Sequence, residues 1–170
     1  MTETKILYQV TPELVTFIKE CDKLGFKNNN SLDTMKFDWC LDMHGAWFAT
    51  FDNNKIVGIS GAHPFRDGYR ALFRGAQLYS RPGGLSKNHM NCWMFYYHLP
   101  MVIDACINPI YVTTNIDNDA SGKMLKLNKL YYILSKKGFF DLISTEEIYG
   151  VQQNIWKLNK EYYMDVRSRS

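Results

Sequence analysis

The stretch from residue 69 to residue 115 constrains the fold more than any other. Residues 69–79 are apolar and aromatic and predict a strand. Arg81, Pro82, Gly83 and Gly84 then turn the chain. A helical pattern follows over 88–98, breaks at Pro100 and resumes over 101–107. Residues 109–115 are β-branched and predict a buried strand. Two strands joined by a helical crossover lie parallel, through a right-handed connection. A chain built around such a unit is α/β.

The turn also has a chemical reading. Strand, glycine turn and helix together present unpaired backbone N–H groups, and the positive end of a helix dipole, to an anion. Gly83 and Gly84 place no Cβ between backbone and ligand. Arg81 adds a fixed charge that grips phosphate through two hydrogen bonds. The plain alternative is an ordinary strand-to-helix turn.

The flanking sequence fills in the architecture. A short strand is expected over 5–10. Thr11 supplies a hydroxyl N-cap and Pro12 a first helical residue. Leu14, Val15, Ile18, Cys21 and Leu24 make an apolar face that ends at Gly25. A second helix is expected from Ser31, carrying Leu32, Met35, Trp39 and Met43, with Gly45 as its breaker. Strands over 46–51, 56–62 and 69–79 form an antiparallel meander, the first turn being Asp52, Asn53, Asn54 and Lys55. Gly58 and Gly61 predict a bulge or a closely approaching partner in the second of these strands. Further on, Asn118, Asp119 or Ser121 caps a helix whose apolar face carries Met124, Leu127, Leu130, Tyr131 and Leu134, and Gly138 stops it. Two closing strands, 139–143 and 149–158, are joined by a polar link over 144–147. The prediction is a mixed, mostly antiparallel central sheet of about seven strands with helices on both faces. It forms one domain over 1–166, with a flexible tail over 167–170.

Composition excludes several functions. At 170 residues the chain suits one domain and buries roughly 70% of its unfolded surface. With 46% hydrophobic residues it is not a disordered chain. A net charge of +3 is too mild for a nucleic-acid protein, but leaves room for a basic pocket. The four cysteines have no paired spacing and the N-terminus lacks a signal peptide, so free thiols in the cytoplasm are expected. No apolar run approaches the ~20 residues that cross a bilayer. His89 and Cys92 lie three apart without a second pair, so no metal site is expected.

In element order the chain resembles the GNAT superfamily of N-acetyltransferases over nearly its whole length. Three segments carry the likeness. The family's acyl-CoA motif, Gln/Arg-x-x-Gly-x-Gly/Ala, is met by Arg81 and Gly84, with Ser86 departing at the last position. The hairpin from Trp47 to Ser60, with Val57 and Gly58, is similar to the family's second and third strands. The closing segment, with Gly138, Phe139 and the strand ending at Leu158, is similar to the family's end. Leu134 stands where a tyrosine is usual, and residues 69–79 carry no acid.

The resemblance implies acetyl-CoA or another acyl-CoA as co-substrate. Its pyrophosphate would meet the amides of Gly83, Gly84, Leu85 and Ser86, with Arg81 beside them. Its pantetheine arm would run along Leu78 and Tyr79, with Asn115 and Asn118 as hydrogen-bond partners. Asn118 reads equally as a helix cap and Asn115 as a strand-end residue. The acceptor would be a small-molecule amine or a protein amino group that attacks the thioester directly. His63 is the candidate base, since its ordinary pKa of ~6.5 suits the task; a loop histidine without chemistry is the alternative. Tyr131 is the candidate acid, with a core tyrosine as the alternative. Trp93, Phe95, Tyr96 and Tyr97 read as core, as an acceptor pocket or as a homodimer contact. The other functional reading is a GNAT-like binding or assembly protein without catalysis.

Overall fold

The computed structural model of the chain describes residues 2–24, 41, 43–74, 99–105, 108–116, 123–148 and 150–169. Its strands are β1 (Thr2–Leu7), β2 (Ala46–Asp52), β3 (Lys55–Phe65), β4 (Gly68–Arg74), β5 (Ile110–Asn115), β6 (Phe140–Ile148) and β7 (Val151–Leu158). Its helices are α1 (Pro12–Leu24), α2 (Leu99–Ala105), α3 (Lys123–Lys136) and α4 (Lys160–Ser168). The strands follow the hydrogen-bonded order β1-β2-β3-β4-β5-β7-β6 in a seven-stranded sheet. The β1–β2, β2–β3, β5–β7 and β6–β7 pairings are antiparallel, and β4–β5 is parallel. This is the mixed, mostly antiparallel sheet that the sequence predicts, with its parallel pair where the crossover requires one. The chain divides into two compact units, Met1–Pro64 with Ala71–Ala105, and Phe65–Arg70 with Cys106–Ser170.

In the first unit α1 begins as its sequence dictates. Thr11 Oγ1 accepts from the Leu14 amide at 3.2 Å, and the Thr11 carbonyl from Val15 at 3.1 Å. Leu14 and Phe17 project one turn apart and are buried against Trp47, Ala49, Ile56 and Ile59. The spacing of three between Ile56 and Ile59 breaks strand alternation. A register shift explains it: Thr50 pairs with Gly58 and Phe51 with Ile56, which leaves Val57 as the extra residue of a bulge. The bulge lies beside Gly58, in the strand the sequence marks for it. β1 starts earlier than expected, because Thr2 to Leu7 pair with β2 while Tyr8 and Gln9 bend away. The expected helix from Ser31 lies outside the described residues, apart from its end. There His44, with φ of 62°, makes the turn before Gly45.

In the second unit α3 ends on a paired C-cap. Gly138 takes φ of 93°, its amide donates to Ser135 O at 2.9 Å, and the Phe139 amide donates to Leu134 O at 3.0 Å. Tyr131 and Leu134 on this helix are buried, as are Phe140 and Trp156 on the strands. Each such side chain contributes roughly 1.5–3 kcal/mol by leaving water. Two features differ from expectation. Residues 144–147 belong to β6 rather than to a loop, and Ile148 pairs with Val151, with Gly150 at φ of 78° just before it. Residues 160–168 form α4, capped by Asn159 Oδ1 on the Tyr162 amide at 3.1 Å; Arg167 and Ser168, expected in a tail, close that helix. In the first unit Pro100 is the second residue of α2, and the helical pattern expected before it, over 88–98, lies outside the described residues. No helix among the described residues is long and apolar enough to cross a membrane.

Candidate functional site

β5 ends in Thr113, Thr114 and Asn115, and alternation sends their side chains to opposite faces. On one face Thr114 meets a buried polar chain. The Trp156 indole donates to Thr114 Oγ1 at 2.8 Å, and Thr114 Oγ1 donates to Asn128 Oδ1 on α3. Asn154 Nδ2 donates to the same oxygen at 3.1 Å, and Thr145 Oγ1 donates to Asn154 Oδ1 at 2.7 Å. Asn128 Nδ2 donates to the carbonyl of Asn115 at 2.6 Å. Thr114, Asn128, Asn154 and Trp156 are all buried, so each lost partner would leave a polar atom dry. On the other face Thr113 accepts from Arg70 Nε at 2.7 Å.

A second set of contacts holds the turn before β4. The Tyr69 amide donates to Pro109 O at 2.9 Å, and the parallel ladder that follows has two rungs, Tyr69 with Ile110 and Arg70 with Tyr111. The Tyr111 hydroxyl donates to Asp67 at 2.7 Å, and its ring meets Phe65 edge-on. Burial and then the Asp67 bond push the Tyr111 phenol up. Arg66 grips Glu146 with two bonds of 3.0 and 3.1 Å. That bond, with a second one from Ser144, holds the Glu146 carboxyl below its ordinary value.

Of the expected site residues, three are described. His63 near the end of β3 is fully buried, with Nδ1 2.9 Å from Pro64 O. A carbonyl only accepts, so Nδ1 carries a proton toward it. Tyr131 is 2% exposed, its ring edge-on to Phe140 and tilted over Trp156. Burial pushes its phenol well above the ordinary value, the wrong direction for a proton donor. Asn115 closes β5 and pairs with Gln153. Leu78, Tyr79, Arg81, Gly83, Gly84, Leu85, Ser86 and Asn118 lie outside the described residues. Among the described residues no group of three or more His, Cys, Asp or Glu is placed to hold a metal. The chain of Trp156, Thr114, Asn128 and Asn154 is not foreseen from sequence. Its one signal is an asparagine in helical register with Tyr131.

Neither a protein-family model nor a curated protein sequence matches the chain. Solved structures do. A GNAT-family protein from Desulfovibrio desulfuricans, assigned as an acetyltransferase, superposes with a TM-score of 0.56 at 13% identity, over 93% of this chain and 98% of that one. An aminoglycoside 6'-N-acetyltransferase complexed with coenzyme A gives 0.56 at 14% identity, over 91% and 94%. The aminoglycoside 6'-N-acetyltransferase from Enterococcus faecium gives 0.55 at 14%, over 91% and 94%. The fold is therefore that of the GNAT acetyltransferases.

Proposed function

We propose that this chain, with its GNAT fold, is an acyl-CoA-dependent N-acyltransferase of the cytoplasm. The observation that carries the reading is the shared fold over nine-tenths of the chain, including a relative complexed with coenzyme A. The parallel β4–β5 pair supports it, since β4 leads on into Arg81, Gly83 and Gly84. In this reading Arg81 and the amides of Gly83, Gly84, Leu85 and Ser86 take the pyrophosphate. Leu78 and Tyr79 pair with the pantetheine arm, and Asn115 and Asn118 hydrogen-bond to it. An amine attacks the thioester carbonyl, and an N–H at the end of the strand stabilises the oxyanion. The C–N bond forms, the C–S bond breaks, and His63 takes the ammonium proton. The thiolate takes its proton from water, because Tyr131 is committed to the core. The acceptor is a small-molecule amine or a protein amino group.

A second reading, acyl-CoA binding without transfer, is favoured by one observation: His63 and Tyr131 are both buried. Release of CoA thiol on a panel of polyamines, aminoglycosides and peptide amines separates the two. Acceptor-dependent release, reduced roughly 100-fold in His63→Gln, supports transfer with His63 as the base. Acetyl-CoA binding with no release on any amine leaves the binding reading.

A further inference from the structure

The amide of Asn128 has a fixed direction, set by its neighbours. An indole N–H only donates, so Thr114 Oγ1 accepts from Trp156 and passes its own single proton to Asn128 Oδ1. Asn154 Nδ2 donates to that same oxygen. At the other end the Asn115 carbonyl only accepts, so it requires the Nδ2 end. The Asn115 end demands one orientation, and the Asn154 amide is set to match it. A flipped amide would set oxygen against oxygen at Asn115.

The peptide between Asn115 and Ile116 is thereby held on both sides. Its carbonyl is taken by Asn128, and its N–H donates to Gln152 O at 3.0 Å. This is the peptide at which β5 ends, beside the side chain assigned to the pantetheine arm. An unheld carbonyl there would be a competing acceptor for any ligand amide. A free peptide would also let the Asn115 side chain swing.

Resting on the acyltransferase reading, we propose that Asn128 is a positioning residue for acyl-CoA. By donating to the Asn115 carbonyl it keeps that oxygen engaged inside the protein and sets the Asn115 side chain for the pantetheine. Sequence gives Asn128 no such role, since it lies between Leu127 and Lys129 on a lysine-rich helix. Its burial at 6% exposure and its three bonds supply the role.

The test compares two variants of α3. Asn128→Leu deletes the donor. Leu134→Ala, buried on the same helix, opens a cavity and touches no hydrogen bond of the chain. Both lower the melting temperature. Calorimetric titration with acetyl-CoA should show at least a tenfold weaker Kd for Asn128→Leu and less than a threefold change for Leu134→Ala. Amide exchange at Ile116 without ligand should quicken at least tenfold in the first variant and not in the second. Asn128→Asp keeps the shape and turns the donor into an acceptor; it gives the same loss and stands in if the leucine variant does not fold. Equal Kd values in wild type and Asn128 variants, or equal losses in both α3 variants, overturn the proposal alone. A wild type that binds no acetyl-CoA removes the acyltransferase reading, and this proposal with it.

Discussion

Gly68 approaches Pro109 so closely that a Cβ on it would lie 1.9 Å from the Pro109 carbonyl oxygen. That oxygen already accepts from the Tyr69 amide at the start of the parallel ladder. A methyl group cannot be accommodated without moving backbone. Gly68→Ala should therefore cost about 3 kcal/mol, the upper end for an added methyl, read as a fall in the urea midpoint. A loss under about 0.5 kcal/mol, the range of an ordinary surface substitution, would mean that the two strands are not joined as described.

Glu146 gives the chain a pH signature. Its carboxyl is held below the ordinary value of 4.5 by Arg66 and then by Ser144. A depressed carboxyl contributes stability that is present above its unfolded pKa and lost as pH falls through the lower folded value. The pair is exposed, so the effect is small and screened by salt. The melting-temperature difference between wild type and Glu146→Gln should be positive at pH 6 and shrink as pH drops below about 4.5. A constant difference down to pH 2.5 would show that the pair does not form.

Tyr131→Phe tests the division between core and chemistry. The ring packs on Phe140 and Trp156, and its proton is held tightly by burial. Turnover of acetyl-CoA should stay within about threefold of wild type, far from the 100-fold that loss of a general acid brings. A 100-fold fall in kcat would restore the phenol to an acid role.

Much of this fold was legible because it follows period and punctuation. Thr11 and Pro12 announce α1, Gly138 stops α3, and the crossover after β4 requires the parallel strand β5. The failures have physical causes. Thr145 and Glu147 read as loop because an outer strand shows polar side chains to water while its backbone still pairs with β7. α4 was not read from the sequence: only Tyr163 of its residues is buried, so periodicity hardly marks it. The site was less legible still. Thr114, Asn128, Asn154 and Trp156 are scattered over 43 positions of sequence, and only the pairing of β5 with β7 brings them together.

The account depends most on a diphosphate-bearing thioester settling on the amides of residues 83–86. Isothermal titration of the protein with acetyl-CoA measures this directly, with Gly84→Trp as the partner sample because a bulky side chain at the proposed pyrophosphate site would exclude the ligand. The expected result is saturable binding at micromolar to sub-millimolar concentration by the wild type and none by Gly84→Trp. Equal heats from both proteins, or no heat from the wild type at millimolar acetyl-CoA, would contradict the account.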